Sequence, residues 1–150
     1  MAENALGTTI VCQVGIIVED IAKTSKAWAE LLGVEVPAAQ LTDGQEVTHA
    51  RYRGEGTDAR AKLAFFNLGQ VQLELIEPVG GPSTWREFLE QHGQGIHHIA
   101  FRIQGMDDVI ARLEACDVSL VQRGDYTGGR YAYLDGIPQL GAILELLEND

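Results

Sequence analysis

The sequence predicts an α+β fold in which two paired βαβββ modules form a curved, partly closed mixed sheet around a cleft. The first observation behind this prediction is an internal repeat: QVGIIVEDI (13–21) aligns with HIAFRIQGM (98–106), and QLELIE (72–77) aligns with ILELLE (143–148). The second is that each copy places one segment of helical periodicity between segments of strand-like alternation. We therefore expect a single domain over residues 1–150, with modules at about 8–78 and 95–148.

Composition excludes several classes of protein. The chain has 150 residues, of which 45% are apolar and 22% charged, as is ordinary for a soluble domain with its own core. A net charge of −11 argues against a nucleic-acid partner, because phosphate binding needs clustered Lys and Arg. No apolar run approaches the ~20 residues of a membrane span, and MAENALGTT lacks a signal-peptide pattern. Cys12 and Cys116 have no metal or redox spacing, which fits a cytoplasmic location.

The elements of both modules follow from periodicity and from the capping residues. In the first module we expect a strand, a helix from Asp20 to about Gly33, and three strands, at 9–18, 20–33, 47–53, 61–68 and 71–77. In the second module the corresponding ranges are 95–103, 106–116, 118–123, 130–134 and 142–147. A short helix at about 84–92, in which Thr84 and Glu87 have capping-box spacing, joins the modules.

Strand alternation places four polar residues on the cleft face. Successive side chains of a strand point to opposite faces, so the apolar residues that pack under the helices fix the direction of their neighbours. On this basis Cys12 and His97 share the helix-covered face with the apolar residues of their strands. The leucines of LELIE and LELLE also point to that face. The residues left facing the cleft are Gln13, Glu74, His98 and Glu145, with Gln13 equivalent to His98 and Glu74 to Glu145.

The four residues together suggest a metal site. Two buried carboxylates that converge with an imidazole would repel each other unless a cation lay between them. One His, two Glu and one Gln suit Zn, Co, Ni or Mn and leave a coordination position open. Taken singly, a mid-strand Glu is more often exposed to solvent, and a His pair is more often structural. The repeat, which joins four weak signals into one arrangement, favours the metal site.

From Val11 to Glu148 the chain resembles the vicinal oxygen chelate (glyoxalase/bleomycin resistance/dioxygenase) superfamily. The resemblance lies in VGIIVEDI, FNLGQVQLELIEP, GQGIHHIAFRI and LGAILELLE. It implies one divalent metal held by the four residues named above, a small-molecule substrate, and a homodimer. It also implies that Glu145 acts as the catalytic base. We expect Glu74, its equivalent in the repeat, to be its partner on the opposite face of the substrate.

Two branches of the superfamily are compatible with these residues. The framework is similar to that of methylmalonyl-CoA epimerases, which act on a CoA thioester. Gln13 and Glu74 instead match the ligand set of lactoylglutathione lyases (glyoxalase I), which isomerise a thiol adduct of a 2-oxoaldehyde. A non-catalytic binding protein, as in antibiotic resistance, is a third reading. A ring-cleaving dioxygenase is disfavoured because only one His faces the cleft. Glu46 is a loose candidate for a further base of the epimerase type.

Several positive charges are candidates for holding the anionic part of a substrate. Arg102 is predicted on the cleft face, and the paired Gly128 and Gly129 could let a ligand approach the backbone. Exposed arginines without a ligand are the commoner explanation for most of this set. The other candidates are Arg51, Arg53, Arg60, Lys62, Arg123 and Arg130.

Overall fold

The computed structural model describes residues 3–150, so Met1 and Ala2, which begin the stretch compared with signal peptides, lie outside it. The described chain folds into ten strands and five helices, which confirms the α+β class. The strands are β1 (Val11–Ile17), β2 (Gln40–Leu41), β3 (Arg51–Tyr52), β4 (Glu55–Gly56), β5 (Arg60–Asn67), β6 (Gln72–Val79), β7 (Gly95–Arg102), β8 (Ser119–Tyr126), β9 (Gly129–Gly136) and β10 (Ala142–Asn149). The helices are α1 (Ile21–Leu32), α2 (Gln45–Thr48), α3 (Thr84–His92), α4 (Met106–Glu114) and α5 (Ile137–Leu140).

All ten strands belong to one mixed sheet, in the order β2-β5-β6-β1-β7-β10-β9-β8-β3-β4. The two halves meet at the antiparallel pair β1·β7. On either side of this seam, the first strand of each half pairs in parallel with the last, β1 with β6 and β7 with β10. The sheet order is therefore mirrored about the seam, as expected from the sequence repeat.

Each half covers one face of its strands with a helix. The apolar side chains of α1 pack on β5 and β6, and those of α4 pack on β9 and β10. Asp20 caps α1 by accepting a hydrogen bond from the Lys23 N–H, and Gly33 ends the helix with φ 68°, as predicted.

The last carboxylate of each LELxE segment caps the helix of its own half. Glu77 accepts a hydrogen bond from the Ile21 N–H at 3.0 Å, and Glu148 accepts one from the Met106 N–H at 3.2 Å. A negative charge here also interacts favourably with the positive end of the helix dipole. These two glutamates are equivalent in the repeat, three residues after Glu74 and Glu145.

The connecting helix forms where expected but begins one residue earlier than the capping-box spacing implied. Ser83, not Thr84, is the N-cap, since its hydroxyl accepts a hydrogen bond from the Arg86 N–H at 3.0 Å. The Thr84 hydroxyl faces His97 instead. Trp85 packs with apolar residues of the concave face of the sheet, so α3 fills one end of the cleft.

The predicted strand at 47–53 is wrong for most of its length. Residues 45–48 form α2, His49 adopts a left-handed conformation (φ 49°), and only two residues remain in β3. The second strand of the first half is β2, which pairs with β5. Residues 42–59, here called the crossing segment, run to the opposite edge of the sheet, where Arg51 pairs with Arg123 of β8. Alternation reveals a strand but does not reveal which sheet edge it joins.

Between residues 3 and 150, the longest and most apolar helices fall short of what a membrane crossing requires.

Candidate metal centre

Four neighbouring strands bring the predicted residues together on the concave face. Gln13 lies on β1, Glu74 on β6, His98 on β7 and Glu145 on β10, and these strands are adjacent in the sheet. All four side chains are almost fully buried, with exposed fractions of 4%, 6%, 1% and 4% in that order. The flanking leucines of LELIE and LELLE point to the helix-covered clusters, as predicted from strand alternation.

The donor atoms of the other three residues lie around His98 Nε2. This nitrogen lies 2.8 Å from Glu145 Oε2, 3.0 Å from Gln13 Oε1 and 3.6 Å from Glu74 Oε1. Donor atoms around an ion with bonds of about 2.1 Å are themselves separated by about 3.0 to 3.4 Å. Among the described residues, Glu74, His98 and Glu145 form a cluster that could hold a metal ion.

Two of these oxygens lack hydrogen-bond partners. Glu74 Oε1 and Glu145 Oε2 are buried without an accepted hydrogen bond from any described residue. Burial, and then the nearby charge of Glu145, raise the pKa of Glu74 well above its usual range. Such an arrangement is unfavourable for the protein alone, and a divalent cation would satisfy both carboxylates. The residues therefore fit a metal ion in their number, in the type of their donor atoms and in the uncompensated negative charge of the two carboxylates.

Gln13 presents its oxygen, which is the metal-binding atom of an amide. Its Nε2 donates to Gln72 Oε1 at 2.8 Å, and Gln72 Nε2 donates in turn to Asn67 Oδ1 at 3.1 Å. This chain of amide hydrogen bonds is consistent with the oxygen of Gln13, and not its nitrogen, facing His98.

His97 lies on the concave face beside His98, and its predicted position on the helix-covered face is wrong. Gly15 pairs with His98 while the next residue, Ile16, pairs with Ile96, so His97 is the extra residue of a β-bulge. Its ring is buried, 5.2 Å from the ring of Tyr133. Burial, and secondarily His98, lower the pKa of His97 well below its usual range.

The same break in register occurs at Cys12, the equivalent position of the first half. Val11 pairs with Phe101 and Gln13 with Ala100, so Cys12 is the extra residue on β1. Its thiol donates to the Ala100 carbonyl at 3.3 Å, and Cys12 lines a small recess together with Gln13 instead of packing under α1. One-residue bulges invert strand parity, and the apolar pattern did not reveal either of them.

A cavity of about 570 Å³ opens beside the cluster and is reached by Gln13, Glu74 and Glu145. Its volume is within the range of sites for small molecules. Leu63, Phe65, Trp85, Tyr126, Tyr131, Tyr133 and Leu147 supply its apolar and aromatic walls.

Two tyrosines of β9 face this cavity and were not predicted as site residues. Tyr133 OH accepts a hydrogen bond from Trp85 Nε1, and Tyr131 OH accepts one from Gln122 Nε2, both at 3.1 Å. Burial is the main reason that the pKa of each tyrosine is raised, so both hydroxyls stay neutral. Strand alternation in YAYL could have revealed that the two share the cleft face.

Arg102 is the only Lys or Arg that lines the cavity in the described part of the chain. It forms no ion pair with any described residue, although its side chain is exposed at the rim. Most of the other predicted anion-binding residues have partners elsewhere: Arg53 pairs with Glu87, Lys62 with Glu77, Arg123 with Asp107 and Arg130 with Glu148, while Arg60 donates to the Thr42 carbonyl.

The remaining predicted features lie apart from the cavity. Glu46 is exposed and does not line the cavity. Gly128 has φ 91° in the turn that joins β8 to β9, and a Cβ at Gly129 would lie 2.4 Å from the Glu148 carbonyl oxygen. Gly128 is therefore required by the turn, and Gly129 by the close approach of β10.

The family follows from comparison with known proteins. Residues 12–133 match the model of the glyoxalase/bleomycin resistance protein/dioxygenase superfamily, and the chain belongs to this superfamily. It is 35% identical over 94 residues to the uncharacterized protein YqjC of Bacillus subtilis (strain 168), a match that covers 61% of this chain and 67% of that protein.

Methylmalonyl-CoA epimerases are among the similar proteins. The mitochondrial enzyme of Mus musculus is 26% identical over 102 residues, covering 67% of this chain but only about half, 49%, of that enzyme. A variant of the Streptomyces coelicolor epimerase, in complex with 2-nitronate-propionyl-CoA, superposes with a TM-score of 0.64 at 22% identity, covering 94% of this chain and 97% of that one. At this identity the structural likeness shows the fold.

Proposed function

We propose that this chain is a metal-dependent isomerase that removes and returns a proton on the carbon next to a carbonyl, with an acyl-CoA thioester of the methylmalonyl-CoA kind as its substrate. The observation that carries this proposal is the buried cluster of Gln13, Glu74, His98 and Glu145, with two carboxylate oxygens unpaired at the wall of a cavity. The likeness to methylmalonyl-CoA epimerases supports the choice of substrate.

In this proposal the four residues hold a divalent ion of zinc, cobalt, nickel or manganese. When bound, the ion supplies electrostatic stabilisation for the negative charge that develops on the substrate carbonyl as the proton leaves. Amide oxygen, carboxylate and imidazole are all ligands that these ions accept.

The protein's own part in the reaction is proton transfer by the two glutamates. Glu145 takes the α-proton, since its Oε2 accepts no hydrogen bond from the described chain. Glu74 is its symmetry mate on the other side of the β1·β7 seam. It begins the turnover protonated, in line with its raised pKa, and gives that proton to the opposite face of the same carbon. Exchange with solvent then removes the proton from Glu145 and restores the one on Glu74. One carboxylate on each face is what inversion of a stereocentre requires.

The surroundings of the cluster position the substrate. Tyr131, Tyr133 and Trp85 keep water from the reacting carbon and leave a dry wall for the acyl group. Arg102, without an ion-pair partner at the rim, binds the free carboxylate of the acyl group. A homodimer remains an expectation from the family.

A glyoxalase I activity is the second candidate, because the ligand set Gln, Glu, His and Glu is similar to that of zinc-type glyoxalases. The same cluster would serve it, with Glu145 moving a proton between adjacent carbons of the thiol adduct.

Two measurements test the proposal in sequence. Elemental analysis after incubation with Zn²⁺, Co²⁺, Ni²⁺ and Mn²⁺ should find close to one equivalent of ion per chain. Protein that retains none of them would be a non-catalytic binding protein, and both enzyme assignments would fail.

Exchange of the α-proton of methylmalonyl-CoA in deuterated buffer then separates the two enzymes. We expect metal-loaded protein to exchange the α-proton faster than buffer alone does, and metal-free protein to give no such acceleration. Turnover of the methylglyoxal–glutathione adduct without exchange in methylmalonyl-CoA would assign the glyoxalase activity instead.

A further inference from the structure

We propose that His97 is a positioning residue which fixes the ring orientation and the tautomer of His98, so that the lone pair of His98 Nε2 faces the other three donor atoms. This inference rests on the metal site proposed above. It assigns a role to the first histidine of the GIHHIAF segment, which the proton-transfer scheme does not use.

The two rings are linked by a chain of short contacts. His98 Nδ1 lies 3.0 Å from His97 Nδ1, and His97 Nε2 lies 3.0 Å from the Thr84 hydroxyl oxygen. When two ring nitrogens face each other at this distance, one of them must carry a hydrogen and the other must not. The direction of this hydrogen bond therefore decides the tautomer of both rings.

Metal binding allows only one direction. A His98 Nε2 that binds an ion carries no hydrogen, so the single hydrogen of the neutral ring is on Nδ1 and is donated to His97 Nδ1. His97 then keeps its own hydrogen on Nε2 and donates it to the Thr84 hydroxyl. A protonated, doubly donating His97 is excluded, because two hydrogens would meet between the Nδ1 atoms.

The metal-free protein allows the opposite direction. There, His98 Nε2 faces oxygens of Gln13, Glu74 and Glu145, which favour a hydrogen on that nitrogen. His97 Nδ1 then donates to His98, and the Thr84 hydroxyl donates to His97. Ion binding therefore reverses two hydrogen bonds, the one between the two rings and the one between His97 and the Thr84 hydroxyl.

Neighbouring side chains hold the His98–His97–Thr84 hydrogen-bond chain in place. The bulge turns His97 toward α3, where its ring packs edge-on against Phe88 and Tyr133 at 5.3 and 5.2 Å. The Thr84 N–H donates to Gln122 Oε1 at 2.9 Å, and this contact fixes Thr84, the last residue of the hydrogen-bond chain. The connecting helix thus orients a metal ligand that belongs to the sheet.

Two substitutions of His97 test the proposal through metal affinity. His97→Phe keeps a ring but has no acceptor, whereas in His97→Asn the amide oxygen can replace Nδ1 as the acceptor. We expect His97→Phe to weaken Co²⁺ binding by about 10- to 100-fold and to alter the visible Co²⁺ spectrum. His97→Asn should recover most of the lost affinity. His92→Phe, at an exposed histidine of α3 that also contacts Phe88, is the matched control and should bind Co²⁺ like the original chain.

Equal affinity of the His97→Phe and original chains would overturn the role of His97 while leaving the proposed function intact. An original chain that binds no ion would overturn both. Should His97→Phe fail to fold by thermal melting, long-range ¹H–¹⁵N correlation spectra of the Zn²⁺-loaded original chain decide the matter. We expect hydrogens on His98 Nδ1 and His97 Nε2, and a hydrogen on His97 Nδ1 would overturn the inference.

Discussion

The imidazole of His98 occupies the space in which a side chain of Gly15 would lie. The two residues are paired across the β1·β7 seam, and a Cβ on Gly15 would come within 2.0 Å of His98 Cε1. The glycine is required here for close approach and not for an unusual backbone conformation.

Gly15→Ala should therefore displace the His98 ring and weaken metal binding. We expect the affinity for Co²⁺ to fall at least about 10-fold, and overpacking to cost about 1–3 kcal/mol of stability. Titration with Co²⁺ and thermal melting measure the two effects. Gly95→Ala is the matched control on the adjacent strand, because its Cβ would lie 3.8 Å from Phe88. Unchanged Co²⁺ affinity in Gly15→Ala would contradict the placement of His98.

Glu145→Gln should abolish turnover while leaving most of the metal bound. The amide can still offer an oxygen to the ion but cannot accept the α-proton, so we expect kcat to fall by about 10²- to 10⁴-fold. Proton exchange and elemental analysis on the same sample give the two readings. Glu148→Gln, on the same strand but facing α4, should keep its turnover. Full activity in Glu145→Gln would remove it as the base.

Glu148 should make the stability of the protein depend on pH in the acid range. Hydrogen bonds from the Gly105 N–H, then from Arg130, lower the pKa of Glu148 below its ordinary value. Its contribution is complete above the unfolded pKa of about 4.3 and is lost as the pH falls through the lower, folded value. The stability gap between the original chain and Glu148→Gln, from urea unfolding, should thus narrow below about pH 4. A gap that stays constant to pH 2 would contradict this.

Arg102→Met should discriminate between substrates by their charge. Loss of a charged hydrogen bond to a carboxylate costs about 1.5–3 kcal/mol, so kcat/KM for a thioester with a free carboxylate should fall at least about 10-fold. The corresponding methyl ester should be affected far less. Lys26→Met, which removes one exposed positive charge from α1, controls for net charge. Equal decreases in kcat/KM for the acid and the ester would show that Arg102 does not bind the carboxylate.

The repeat and strand alternation together predicted the convergence of Glu74, His98 and Glu145, because both signals depend only on period and order along the chain. They could not predict that Gly15 leaves room for His98, since close approach is a property of the paired strands. They also placed His97 on the wrong face of the sheet, because a one-residue bulge inverts strand parity without changing the apolar pattern.

The crossing segment shows a different limit. Residues 47–53 have the alternation of a strand, yet only Arg51 and Tyr52 of this range pair. They pair with β4 on one side and with β8, from the other half of the sheet, on the other. The local sequence pattern does not indicate which distant strand these residues pair with. The capping role of Glu77 and Glu148 was not predicted either, although each is the second carboxylate of its LELxE repeat.

The seam between β1 and β7 has a consequence for how activity scales with concentration. Because one chain contributes both strands, each copy carries all four residues of the cluster without borrowing any from a neighbour. If the chain forms a homodimer, dilution that separates the two copies should leave metal binding and turnover per chain unchanged.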